Sequence, residues 1–188
     1  MALAGNEGGA YVEGVKRLTL FRHAKASQDG SAPRDFDRTL TDEGRRQAAR
    51  MGAYMAAQGL RPDLALVSPS QRTMETFDLA APHLNPAPRL VRAEPLYNAL
   101  PATIVDEITG APETAAHILV IGHNPGLHAL ALMLIDPRAA DPALIEQLQQ
   151  KFPPGALAHF ALAIDDWPAL DGARGALERF ETPKSLGQ

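Results

Sequence analysis

The sequence contains no cysteine. That excludes disulfides, thiolate metal sites and any phosphatase chemistry that runs through a cysteine nucleophile. Long apolar runs are missing as well: the longest, around 127–135, is interrupted by His128 and is far too short to span a bilayer. Residues 1–15 have neither a basic start nor a continuous apolar segment, so they read as a frayed extension rather than a secretory signal, and a cytoplasmic location is expected. Positive charge is not in excess either. The net charge of −4 argues against broad polyanion partners, so no nucleic acid and no membrane is expected as a partner. With 188 residues, 45% hydrophobic and 21% charged, and no repeat or linker, the chain reads as one globular domain over 16–188.

Strand and helix patterns alternate along most of the length. Strands are expected over 18–21, 64–67, 89–93, 117–121, 155–163 and 176–182, with 117–121 central and 89–93 outermost. A helix is expected over 42–58, capped by Thr41 or Asp42 and closed by Gly59, with Ala48, Met51 and Met55 inward and Arg45, Arg46 and Arg50 in solvent. A second runs to Ala80 from an N-cap at Ser68 with Pro69 as its first residue, a third covers 102–109, a fourth covers 125–135 after an Asn124 cap, and a fifth covers 143–151. This order predicts an α/β fold, a three-layer α/β/α sandwich around a mainly parallel sheet. The polar stretch 24–40 is longer than an ordinary strand-to-helix connection, which marks it as a functional loop.

Chemistry gathers where the strands end. Arg22-His23 follows Leu18-Thr19-Leu20-Phe21, and His123 follows the run from His117 to Ile121, so two imidazoles leave two buried strands at the end where open α/β sheets keep their sites. Arg72 falls in the first turn of a helix that also follows a strand. Guanidinium groups grip phosphoryl oxygens in a fork that lysine cannot imitate, and helix starts near Ser68 and Asn124 would add backbone donors. Between guanidinium groups an imidazole is pushed toward its neutral form, which suits His23 as nucleophile if its other ring nitrogen donates to a carbonyl. His123 then donates to the phosphoryl oxygens as charge builds.

Four ordered blocks carry a resemblance: Leu20-Phe21-Arg22-His23-Ala24-Lys25, Asp37-Arg38-Thr39-Leu40-Thr41-Asp42-Glu43-Gly44, Ser68-Pro69-Ser70-Gln71-Arg72-Thr73-Met74-Glu75-Thr76 and Gly122-His123-Asn124-Pro125-Gly126. They resemble the histidine phosphatase superfamily, with its phosphoglycerate mutase-like fold, and most of all its small SixA-type phosphohistidine phosphatases. The likeness runs from about Arg17 to Leu186. It implies that His23 is phosphorylated during turnover, that Arg22, Arg72 and His123 hold the phosphoryl group with Arg38 nearby, and that neither metal nor cofactor is needed. Glu94 is similar to the leaving-group acid of larger relatives. Where the family often has a hydroxyl residue two positions after the residue that follows the Arg-His pair, this chain has Ala26, and Ser27 one step later is the candidate phosphate contact.

The first function this implies is hydrolysis of phosphohistidine in a protein through a covalent phosphohistidine on His23. A small-molecule phosphomonoesterase of the same superfamily, acting on a nucleotide or sugar phosphate, is the alternative, and a phospho-ligand-binding module without turnover is a third. His83, His117, His128 and His159 read as surface or core residues, and Asp35-Phe36-Asp37 and Asp165-Asp166 as turn or capping carboxylates.

Overall fold

A computed structural model describes residues 14–28, 30 and 32–187. The extension expected over 1–15 lies outside them apart from Gly14 and Val15. Among the described residues, β1 (Lys16–Arg22), β2 (Leu64–Val67), β3 (Arg89–Arg92), β4 (His117–Gly122), β5 (Leu157–Leu162) and β6 (Gly175–Glu181) form one sheet in the order β3-β2-β4-β1-β5-β6. Neighbours from β3 to β1 pair in parallel, while β5 is antiparallel to both β1 and β6, so every strand but β5 points one way.

The apolar runs of the central strands are explained by burial on both faces. Leu18 and Leu20 of β1 pair with Ile118 and Val120 of β4, which pair with Leu64 and Leu66 of β2, and all six belong to one core. Phe21, Ile121 and Val67 align in the same way and, with Leu119 and Ala65, form the other core. Among the described residues five helices divide between these cores: α1 (Asp42–Ala57) and α2 (Gln71–Ala80) pack on the Phe21 face, and α3 (Pro101–Thr109), α4 (Gly126–Met133) and α5 (Pro142–Gln150) on the Leu20 face. The division follows from connection handedness. Right-handed crossovers that step outward from β1 to β2 and β3 place their helices on one face, and the return from β3 to β4 places its helix on the other. Chains leaving the adjacent strands β1 and β4 therefore turn to opposite faces and open a crevice between their carboxyl ends.

Two helix starts differ from expectation. Helix α2 begins at Gln71 with Ser70 as its N-cap residue, because the Ser68 carbonyl accepts a hydrogen bond from Thr73 Oγ1 at 2.7 Å and the Ser68 hydroxyl is engaged by His123. Helix α4 begins at Gly126 after Pro125, and the Asn124 side chain leaves the helix to donate to the Phe152 carbonyl at 2.9 Å. Helix α1 starts as expected: Thr41 Oγ1 accepts from Gly44 N at 3.0 Å, and Ala48, Met51 and Met55 are fully buried. Among the described residues no helix is long and apolar enough to cross a membrane.

Helices α1 and α2 touch through backbone. A Cβ on Gly52 would lie 2.4 Å from the Ala80 carbonyl oxygen. Gly52→Ala is therefore expected to destabilise the fold by about 1–3 kcal/mol, read as a lower urea midpoint.

The core also holds a polar bridge across three strands: Thr19 Oγ1 lies 2.8 Å from His117 Nε2 and 2.8 Å from His159 Nδ1. Burial pushes His117 down to about 4 and His159, also facing His117 and Arg17, down to about 3. Both folded-state values lie below the ordinary 6.5, so at mildly acid pH the unfolded chain binds protons that the folded chain refuses. This contribution to stability is complete above about pH 6.5 and is expected to fall as pH drops toward about 4. Urea titrations across that window check it, and a flat profile contradicts it.

Candidate active site

The register of β1 against β4 puts Arg22 beside Gly122, and one residue further His23 N donates to the Gly122 carbonyl at 3.2 Å. The two imidazoles that follow are thereby side by side, with ring centroids 5.2 Å apart, and both are buried. The loop after His23 is held from both sides of the α1–α2 layer. Ala24 N donates to Thr76 Oγ1 of α2 at 3.1 Å, and α1 presses so closely that a Cβ on Gly44 would meet the Lys25 carbonyl oxygen at 2.0 Å.

His23 Nδ1 lies 2.8 Å from the Ala24 carbonyl oxygen, which can only accept, so Nδ1 carries the proton and Nε2 keeps a lone pair. Burial first, then the Arg72, Arg22 and Arg38 guanidinium groups, pushes His23 down to about 4, so the neutral ring prevails at pH 7. His123 is pushed to about 3 by burial, His23 and Arg72. Its Nε2 meets Ser68 Oγ at 2.8 Å and its Nδ1 meets Arg72 Nη2 at 3.3 Å. Ser68 thus fixes the ring from behind and leaves Nδ1 turned to the arginines.

The guanidinium groups are anchored by their ends. Arg22 Nη1 donates to the Phe152 carbonyl at 2.8 Å. Arg72, 3% exposed, donates through Nη1 to the Asp35 carbonyl at 2.6 Å and through Nη2 to Asp35 Oδ2 at 2.9 Å. Arg22 Nε and Arg72 Nε are buried and find no hydrogen-bond partner among the described residues. Two such charged donors are costly unless an acceptor reaches them, and a phosphoryl oxygen is an acceptor of the right charge. Arg38 completes the group: its Nε donates to the Ser27 carbonyl at 2.6 Å and its Nη1 to Asp35 Oδ1 at 2.8 Å.

Arg22, His23, Arg38, Arg72, His123 and Asn124 all line one cavity of about 650 Å³. Two other expected site residues lie apart from it. Ser27 lines an adjoining depression of about 320 Å³ and reaches the site through its carbonyl on Arg38. Glu94 is exposed at the start of a 3-10 turn (Glu94–Leu96) and stands outside the cavity lining. Asn124 Nδ2 is committed to Phe152, while its Oδ1 is buried without a partner among the described residues. Two residues not expected at the site from the sequence, Tyr97 and Asp35, support it from outside the cavity lining. Tyr97, just past the Glu94 turn, packs edge-on against His123 with centroids 5.5 Å apart and donates its hydroxyl to Asp35 Oδ2 at 2.8 Å. Asp35, expected as a turn carboxylate, ties Arg38, Arg72 and Tyr97 together, and these partners, Arg38 first, hold its carboxyl well below the usual range. Nothing local in the sequence signals this role, because every partner but Arg38 comes from another element.

The remaining histidines are structural or peripheral. His128 Nε2 bonds the Leu148 carbonyl at 2.7 Å, and His83 is exposed. Among the described residues no group of three or more histidine, aspartate or glutamate side chains is placed to hold a metal ion.

Comparison with known proteins agrees with this geometry. The sequence profile of the histidine phosphatase superfamily (branch 1) matches residues 18–94. An uncharacterised protein of Mycobacterium tuberculosis strain H37Rv is 34% identical over 164 residues, covering 87% of this chain and 99% of the relative. A candidate phosphohistidine phosphatase SixA of Nakamurella multipartitia superposes with a TM-score of 0.78 at 28% identity, over 90% of this chain and 97% of that one. A phosphoglycerate mutase of Plasmodium falciparum, at 16% identity and a TM-score of 0.55 over 88% of this chain and 90% of its own, shares the fold. The chain belongs to the histidine phosphatase superfamily, as a SixA-type phosphatase with a phosphoglycerate mutase-like fold.

Proposed function

We propose that the protein hydrolyses phosphohistidine in a protein substrate, with His23 as nucleophile. The observation that carries the reading is the His23 ring: Nδ1 bonded to the Ala24 carbonyl, Nε2 with its lone pair, beside His123 and two guanidinium Nε donors in want of an acceptor.

In the first step His23 Nε2 attacks phosphorus, the bond from phosphorus to the substrate's ring nitrogen breaks, and that nitrogen leaves with its electron pair to be protonated by solvent. In the second, water attacks the phosphorus on His23. The bond to Nε2 breaks, Nε2 recovers its pair, and phosphate departs with the water oxygen. Arg22, Arg72 and His123 Nδ1–H stabilise the equatorial oxygens in both steps. Once the anion arrives, Ser68 Oγ can donate to His123 Nε2 while Nδ1 carries the proton.

Proton supply favours a nitrogen leaving group. Glu94 stands outside the cavity lining, and Glu43, the carboxyl-bearing residue in that lining among the described residues, is ion-paired with Lys25. An imidazole departs with less help than the alkoxide of an ester. A small phosphomonoester is the second reading, favoured by a cavity roomier than one phosphoryl group.

Rapid quench with a labelled phosphodonor is expected to trap acid-labile phosphate on the protein, absent in His23→Ala, whose turnover falls on the order of 10⁴-fold or more. Phosphohistidine peptide should be turned over faster than aryl phosphate or nucleotide, and chelator should leave every rate unchanged. Binding with neither trapped label nor released phosphate would point to a non-catalytic module. Arg72→Lys, which loses the fork and the Asp35 contact together, is expected to lower kcat about 10²–10³-fold. Glu94→Gln is expected to stay within about twofold on the peptide, and a large loss would restore Glu94 as an acid.

A further inference from the structure

The cavity is far larger than the reacting phosphoryl group requires, and its charge is lopsided. Among the described residues, Arg22, Lys25, Arg38, Arg72, Lys151 and Lys184 line it against the single carboxylate of Glu43, in a chain whose net charge is −4. Most of these cations are already accounted for. Arg22 and Arg72 face His23, Lys25 pairs with Glu43, and Arg38 pairs with Asp35.

Lys151 and Lys184 are different. Both are exposed, and neither ammonium has a hydrogen bond or ion pair among the described residues. Lys151 ends α5 and leads into Phe152-Pro153-Pro154, while Lys184 follows β6 after Thr182-Pro183. These two segments abut: a Cβ on Gly155 would lie 2.7 Å from Pro183 Cγ. Pro153, Pro154, Thr182 and Pro183 line the same cavity, so the two lysines stand on one wall whose proline backbones are stiff. Phe152, next to Lys151, anchors Arg22 through its carbonyl, which ties this wall to the phosphoryl end.

We infer that Lys151 and Lys184 form a second anion subsite, and that it recognises acidic side chains flanking the phosphohistidine of a protein substrate. The inference rests on the phosphohistidine reading above and names the sequence context of that substrate. Flexible ammonium groups in an open wall suit carboxylates at variable positions, where a fixed second phosphate would call for an arginine fork. The subsite acts by raising affinity, so its signature is in KM and in salt dependence, with kcat unmoved.

The test compares two phosphohistidine peptides, one with aspartate and glutamate around the histidine and one with asparagine and glutamine in their place. Aryl phosphate serves as the reference for the catalytic end. Wild type is expected to show a KM about tenfold lower for the acidic peptide at low salt, and the preference should shrink as ionic strength rises. The Lys151→Ala/Lys184→Ala double variant should lose that preference and keep the wild-type kcat/KM on aryl phosphate. Equal KM values for both peptides in wild type, or a loss in the double variant shared by all three substrates, overturns the subsite. A lysine effect confined to a small bisphosphate, tested in parallel, overturns the acidic-segment assignment. Fluorescence polarisation with the same peptides on His23→Ala protein reads the preference as Kd, so the subsite stands or falls independently of turnover. Absence of phosphate release from every substrate by wild type overturns the phosphohistidine reading on its own.

Discussion

The pairing of β1 with β4 is the constraint on which the site depends. With Arg22 opposite Gly122, the ladder runs out at one level on both strands, and each chain releases a histidine there. Because the chain steps outward after β1 and has turned back by β4, the two connections leave toward opposite faces and cannot cover the gap between them. A slip of one residue in this register would exchange the inward and outward faces of a strand buried on both sides. The same leucine, isoleucine and valine contacts that hold the sheet together therefore also hold His23 beside His123.

Burial sets the protonation states that the proposed chemistry needs. Both imidazoles are kept neutral mainly by desolvation, with the guanidinium groups adding to it. The arginines in turn would repel each other in a low-dielectric pocket, and Asp35 answers this by accepting from Arg38 at Oδ1 and from Arg72 at Oδ2, where the Tyr97 hydroxyl also donates. Anchoring through the Nη atoms leaves the Nε donors of Arg22 and Arg72 free in direction and fixed in position, the preorganised state that electrostatic stabilisation requires.

Legibility followed the range of the interactions. The central strands, the inward face of α1 and its Thr41 cap come from patterns within a few residues, and the structure keeps them nearly to the residue. The Arg-His pair was visible because a dipeptide behind an apolar run is local. Ser68 and Asn124 were misplaced for the opposite reason. Each has the residue type of a helix cap, yet a distant partner, His123 for one and the Phe152 carbonyl for the other, competes successfully for its side chain. Asp35 and Tyr97 could not be found at all from sequence neighbours, since they are 62 residues apart and meet only when the Asp35 turn is brought against Arg72 of α2.

The amino-acid sequence by itself determined the layered α/β architecture, the exclusion of cysteine chemistry and the Arg22-His23 motif behind β1, because hydrophobic period and residue type act over short spans. Tertiary structure decided which polar groups line the candidate site and which serve the scaffold. That choice depends on burial and on hydrogen-bond partners brought together by sheet order, and neither quantity exists until the strands have paired.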